Sequence, residues 1–343
     1  TVGQRNVVVG TDALSADTKG SRSVAIGQAA LANQNLTTAA DTYNVAVGFQ
    51  AGVNVTQGAQ NTLIGGLAGD ALTDGGENVA VGYNTLSTED NNGRNVAIGN
   101  SALATLNAGA TGNTVAVGYH AGTSITTGIH NVLIGATAGD ALQDADYNTV
   151  LGSNALSGDT LGSQSTAIGF NALATQNFTT ATAAANTAVG YSASLNVTTG
   201  QNNTHIGSLA GDAVTTGNSN TLIGREVCSF GGNDLTTGTN NVIIGAFSAT
   251  TASDTDNAVG LGYNIDCAEG FTTVGNGGSD IRAAHGTATW NTVSDERYKK
   301  DIVDSTAGLS FINALTPRTF KYKTLGELPE TFTAYEADST EVF

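Results

Sequence analysis

The chain has 343 residues, with 45 Gly, 2 Pro, no Met and a formal net charge of −17. Charged residues make up 12% and aromatic residues 6%, too few large side chains for a thick globular core but enough for a thin one shared among stacked turns. The acidic balance excludes nucleic acid or an anionic surface as a partner held by a broad electrostatic field, and no stretch reads as a membrane insertion.

From its first residues the chain repeats a five-residue phrase: Asn6-Val7-Val8-Val9-Gly10, then Asn44-Val45-Ala46-Val47-Gly48 and Asn61-Thr62-Leu63-Ile64-Gly65. A start at Thr1 inside a repeat, with no Met, is expected of a piece of a longer polypeptide. The closing Gly falls at 10, 27, 48, 65, 82, 99, 118, 135, 152, 169, 190, 207, 224, 245 and 262, mostly 17 residues apart with occasional steps of 19 or 21. A unit of that size is too short for a pair of helices. It suits one turn of a parallel β-solenoid, with a strand, a corner and a return strand.

The residue before the Gly is Val, Ile or Leu, and the residue two places earlier is Val or Thr on the same face. The residue between them points the other way and is also mostly apolar, as at Ala25, Ala46, Leu63, Leu133 and Ile243. One solenoid has one interior. The second apolar face therefore calls for copies of the same chain around an axis, a homotrimer, the number three coming from the resemblance below. Gly at the strand end suits a positive φ or a close backbone approach. The leading Asn (6, 44, 61, 78, 95, 113, 131, 148, 186, 203, 220 and 241, with Ser at 23 and 165) suits a ladder of side-chain amides between turns.

Four turns make a longer repeat: Gly66-Leu67-Ala68-Gly69-Asp70 returns as Ala136-Thr137-Ala138-Gly139-Asp140 and Ser208-Leu209-Ala210-Gly211-Asp212. The lengthened turns carry Gln34-Asn35-Leu36-Thr37-Thr38, Asn107-Ala108-Gly109 and Gln176-Asn177-Phe178-Thr179-Thr180, which are expected to emerge as lateral bumps. Fifteen turns at about 4.8 Å each predict a rod on the order of 70 Å long. The repeat region is placed at 1–262 and a transition at 263–293. A new module begins at 294–343, where both prolines, Pro317 and Pro329, lie. Within it the pattern predicts a helix opening at Asp304 or Ser305 and stopped by Pro317, then a strand over 318–323.

Ser294-Asp295-Glu296-Arg297-Tyr298-Lys299-Lys300-Asp301-Ile302, followed by Gly308-Leu309-Ser310-Phe311-Ile312-Asn313-Ala314-Leu315-Thr316-Pro317, resembles the opening of the C-terminal intramolecular chaperone of phage tail spikes, tail fibres and endosialidases. The resemblance implies a small α+β domain, of which this would be the N-terminal part, that trimerises the chain. It also implies self-cleavage, in which Ser294 attacks the Val293 carbonyl and Lys299 takes the proton. A serine hydroxyl needs such a base, and a lysine serves only when burial lowers its pKa. The repeats separately resemble the left-handed β-roll of trimeric autotransporter adhesin heads.

Other candidates carry less. His120, His130, His205 and His285 lack ligand spacing; His205 replaces an inward apolar residue and reads as a satisfied core histidine, with three copies meeting near an axis around an ion as the alternative. Asp70, Asp140 and Asp212 read as surface corners, since the glycine-rich nonapeptide of calcium-binding β-rolls is missing. No carboxylate pair marks a glycan-cleaving site. Cys228 and Cys267 are too few for a disulfide framework.

The sequence therefore reads as an all-β, left-handed, homotrimeric β-solenoid followed by the start of a chaperone domain. It needs no cofactor and no metal, and no substrate-directed activity is expected. The expected role is a phage tail fibre or spike, located in the virion, that binds a host cell-surface glycan or envelope protein. A bacterial surface adhesin fibre and a polysaccharide depolymerase are the alternatives.

Overall fold

The computed structural model describes residues 3–287, apart from 90, 92, 110, 111 and 230–232, together with 289–292, 323–329 and 335–341. The chain divides into two compact units, Thr1–Val293 and Ser294–Phe343.

The first unit is a parallel β-solenoid of about 15 turns. Each repeat supplies a strand of three residues, beginning with Val7–Val9, Val24–Ile26 and Val45–Val47. These strands stack residue on residue, so that Val45, Ala46 and Val47 pair with Thr62, Leu63 and Ile64. The last parallel rung is Phe271–Asn276, and the antiparallel strands Ile281–Ala284 and Asn291–Thr292 follow it. All belong to one 18-stranded sheet.

Because side chains alternate along a strand, the middle residue enters the core. Ala25, Ala46, Leu63, Ala80, Leu133, Val150 and Ile243 are all fully buried. At the strand end Gly48, Gly65 and Gly82 hold φ of 145°, 136° and 140°. A Cβ on Gly65 would lie 2.1 Å from the carbonyl oxygen of Gly82, so no other residue fits that corner at this stacking distance.

The asparagine ladder forms just ahead of the strands. Asn61 N–H donates to Asn44 Oδ1 at 2.9 Å, Asn78 N–H donates to Asn61 Oδ1 at 3.0 Å, and Asn61 Nδ2 donates to the carbonyl of Gly75 at 2.9 Å. The Asn61 amide thus satisfies a backbone donor and a backbone acceptor of the next turn, both away from water. One rung differs from the expectation: the ladder residue of the Gly118 turn is Thr114, whose N–H donates to Asn95 Oδ1 at 3.1 Å, while Asn113 sits at the preceding corner with φ 46°. The offset arises because counting back four residues from Gly118 reaches Thr114.

The expected return strand does not form in the ordinary turns. Two and four residues past the Gly, the backbone is left-handed: Gln50 and Gly52, Leu67 and Gly69, Asn84 and Leu86 all have φ between 50° and 60°. A strand needs negative φ throughout, so this side is a ribbon of bends whose N–H groups bond to neighbouring turns, as Gly52 does to Ala68 at 2.9 Å. Holding leucine in this region costs about 1 kcal/mol per residue, offset here by stacking and burial. Among the described residues, paired segments on other sides form where an ordinary turn meets a lengthened one, as Gly20–Ser21 beside Ala40–Asp41 and Gly162–Ser163 beside Thr182–Ala183, and late in the solenoid, as Ala249–Thr250 beside Asp266–Cys267.

Core volume is balanced across turns. Where the strand contributes Leu63 or Leu133, the bend contributes Gly69 or Gly139; where it contributes Ala80 or Ala97, the bend contributes Leu86 or Leu103. A Cβ on Gly69 would strike Leu63 Cδ2 at 2.8 Å. The inserts are also only partly lateral. Asn35 and Thr37 are exposed, but Gln34 is fully buried and bridges Asp17, Ser23 and Asn44, just as Gln176 bridges Asp159, Ser165 and Asn186. These glutamines reach the ladder at the two turns where Ser replaces Asn.

In the second unit the described residues include a short 3-10 turn, Leu325–Glu327, where Thr324 N–H donates to Glu327 Oε2 at 3.0 Å and Leu325 N–H donates to the Glu341 carbonyl at 2.7 Å. The expected helix at Asp304 or Ser305 lies outside the described residues, as does the expected strand over 318–323 except for Lys323.

Replacing Asn61 by Ala strands the Asn78 N–H and the Gly75 carbonyl inside the wall. At about 1–3 kcal/mol for a buried unsatisfied group, a loss on the order of 2–4 kcal/mol is expected in denaturant unfolding. A change below about 0.5 kcal/mol would show that the ladder contributes little.

Candidate functional site

The strand residues flanking the buried middle position face outward. Ile64, Ile98, Val132, Ile134, Leu151, Ile206, Val242 and Ile244 are exposed, and most of the corresponding Val and Thr of other turns are half-buried. They form parallel aliphatic rows along the solenoid, with no charged side chain at the three-residue strand positions from Val24 to Ile244. Soluble protein surfaces seldom leave apolar area of this continuity in water.

Two edges bound the rows. The residue after the closing Gly is aromatic in several turns, and Phe49, Tyr83, Tyr119, Phe170, Tyr191 and Tyr263 are each about half exposed. The residue before the ladder Asn is left-handed and carries Arg22, Tyr43, Glu77, Arg94, His130 and Tyr147. Three charges on that edge are paired within the chain, Arg22 with Asp41 at 3.2 Å and Arg94 with Glu77 at 2.8 Å. Such surface pairs contribute little to stability and mainly keep the edge neutral. Sequence reasoning missed both edges, although aligning the turns on their Gly places the aromatics in one column.

Ser294 and Lys299 lie outside the described residues. His205 is a core histidine, as expected: the middle strand position points into the solenoid's own interior, which removes the alternative of an ion shared between copies at an axis. The ring is fully buried, Nδ1 lies 2.7 Å from Ser194 Oγ, and Nε2 has no partner among the described residues. His205 occupies the slot of Leu63 and Leu133, and Ser194 that of Gly52 and Gly122, so the third long repeat exchanges both members of an apolar pair together. His130 is exposed and stacks on Tyr147, His120 lies against Tyr119, and His285 is exposed.

Asp70, Asp140 and Asp212 are half-buried rather than freely exposed corners. Desolvation raises the pKa of each carboxyl, opposed by backbone N–H donors at Asp70 and Asp140 and by the Ser229 hydroxyl at Asp212. Cys228 and Cys267 are buried free thiols, and burial pushes both upward, Cys267 to about 12. Thiols held protonated are poor nucleophiles. Among the described residues no three His, Cys, Asp or Glu converge as a metal site, and no helix is long and apolar enough to cross a membrane.

Residues 294–339 match the family model described as chaperone of endosialidase. No curated protein and no solved structure matches the chain.

Burial lowers the His205 pKa from 6.5 to about 3, with no charged neighbour contributing. Above pH 6.5 both folded and unfolded states hold it neutral; as pH falls toward 3 the unfolded state gains a proton that the folded state refuses. Stability is therefore lost across that window, by an amount on the order of 4 kcal/mol. The raised carboxylates act oppositely, because the unfolded chain ionises first as pH rises. The comparison that isolates His205 is the double variant Ser194→Gly with His205→Leu, which restores the pair of the earlier repeats. Its unfolding midpoint should fall less between pH 7 and pH 4 than that of the parent chain; equal slopes would refute the assignment.

Proposed function

We propose that the chain is the repeat shaft of a trimeric phage tail fibre or spike that attaches to a host cell-surface glycan or envelope protein. In this reading the segment from residue 294 is an intramolecular chaperone that brings three chains together in register. The observation that carries it is the set of outward aliphatic rows. Each Val, Ile or Leu withdrawn further from water gains on the order of 1 kcal/mol. Summed along about 15 turns, that exceeds the roughly 4–15 kcal/mol that association costs in lost rigid-body freedom. The chaperone match at 294–339 supports the same reading from the other end of the chain.

A chaperone has a physical role here because stacked repeats resemble one another. Three solenoids sliding past each other meet many near-equivalent alignments, and fixing one end first removes most of them. Host attachment through such a shaft would rest on many weak contacts acting together.

The self-cleavage implied by resemblance is part of the proposal. Ser294 Oγ attacks the Val293 carbonyl while Lys299 accepts the hydroxyl proton; the Val293–Ser294 C–N bond breaks as the Ser294 nitrogen takes up that proton, and water then hydrolyses the ester left on Oγ to part the two segments after assembly.

Native mass of the full chain should be three times 34.3 kDa, less any released C-terminal segment. A stable monomer would end the reading. Deleting residues 294–343 before folding should give aggregates, and a soluble, heat-resistant trimer of the truncated shaft would remove the chaperone role. Ser294→Ala should leave assembly intact and abolish any cut in intact-mass measurement.

A further inference from the structure

Over four successive turns the two edges of the outward strip differ in size, first in one sense and then in the other. At the turns of Gly135 and Gly152 the leading edge carries His130 and Tyr147, whose rings stack with centroids 5.3 Å apart and planes within 5°. At the same turns the trailing edge carries only Ala136 and Ser153. One and two turns further on the arrangement reverses. Phe170 and Tyr191 stack on the trailing edge at 5.7 Å and 14°, while the leading edge carries Gln164 and Ala185. Each aromatic slab is two turns tall, and each lies level with a recess on the opposite edge.

We propose that the leading edge of one protomer packs against the trailing edge of the next at equal height, so that these slabs and recesses set the axial register of the assembly. The inference rests on the trimer reading above and adds to it which surfaces meet and in which alignment. The occupant of the strip is thus a second copy of this chain. Cyclic assemblies use such unlike patches, whereas a two-fold contact would bring an edge against itself.

The extent of the surface agrees. A strip about 70 Å long and about 13 Å wide, from turns at about 4.8 Å and four residues at about 3.3 Å, offers roughly 900 Å² per protomer. A standard specific interface buries about 800 Å² per partner. The strand positions between the edges are uncharged, so no ion needs to be desolvated when they close.

Slippage illustrates what the pattern excludes. Moving one protomer by one turn sets Tyr147 against Phe170, and moving it the other way sets His130 against Tyr119. Either slip drives ring into ring and leaves a recess empty. The Gly48 and Gly82 turns do not follow this pattern, with Tyr43 and Phe49 large together in the first and Glu77 and Tyr83 in the second; at the first, the Arg22 guanidinium sits 5.4 Å from the Tyr43 ring centroid and holds it along its own chain.

The test is thiol cross-linking in the full chain, whose native Cys228 and Cys267 are buried and out of reach. A chain carrying both His130→Cys and Ala136→Cys, treated with a short bismaleimide, should run as a covalent trimer under denaturing conditions. These positions lie on opposite edges of one strand, on the order of 15–20 Å apart, so the reagent cannot close the link within a chain. Each single variant should stay monomeric on the gel, and Ala136→Cys with Gln164→Cys, displaced by two turns, should link poorly. The pair Tyr147→Cys with Ser153→Cys repeats the measurement one turn along, should the first variant fail to fold. Dimers from a single variant, preferential linking of the displaced pair, or no linking in a particle of trimeric native mass would overturn the register while leaving the trimer standing. A monomeric native mass would remove both.

Discussion

Everything in the solenoid depends on a column of residues without side chains. The closing glycines stack so that the carbonyl oxygen of each lies where a Cβ of the preceding one would have to be, 2.2 Å away for Gly27 and Gly48, and 2.3 Å for Gly48 and Gly65. Removing that atom lets successive turns approach to a strand spacing along their whole length. Once they do, the asparagine amides fall within bonding distance of the next turn, and the middle strand residues pack directly above one another. The ladder, the core and the rows outside it are consequences of the same approach.

That regularity constrains each turn through its neighbours alone, as in other stacked-repeat proteins. Core volume must balance locally, which is why Leu63 is accompanied by Gly69 and Ala80 by Leu86. The same rule explains His205. A histidine where Leu stands elsewhere leaves a polar nitrogen in an apolar slot, and Ser194 supplies a hydroxyl where the equivalent turns have Gly. The left-handed bends are a second local cost, tolerated because each bent residue bonds to turns on either side.

Regularity also creates a difficulty for the proposed assembly. A stack of nearly identical turns specifies poorly where a second stack should sit, and the aliphatic rows are uniform enough to slide. In the proposed trimer two devices bear on that problem: a C-terminal segment related to endosialidase chaperones, and the alternating aromatic edges. The first acts while the chains associate. The second distinguishes correct from slipped alignments around the turns from Gly135 to Gly190.

The sequence alone determined the parallel solenoid, because a 17-residue period, a Gly after every Val, Ile or Leu and an Asn four residues earlier have one economical packing. It determined as well that both strand faces are apolar, and the segment from Ser294 carried its family resemblance in its own residues. It leaves His205 between a core slot and an ion site at an axis, and puts Gln34 in a lateral bump, whereas stacking buries both side chains inside the solenoid. The left-handed bends were illegible for a related reason: Leu31, Gln50 and Ser194 have no intrinsic preference for φ near 50°, and only the bonds to adjacent turns hold them there. The pairing of stacked rings with level recesses on the far edge likewise exists only in three dimensions, since it relates residues six apart in one turn to their counterparts in the next.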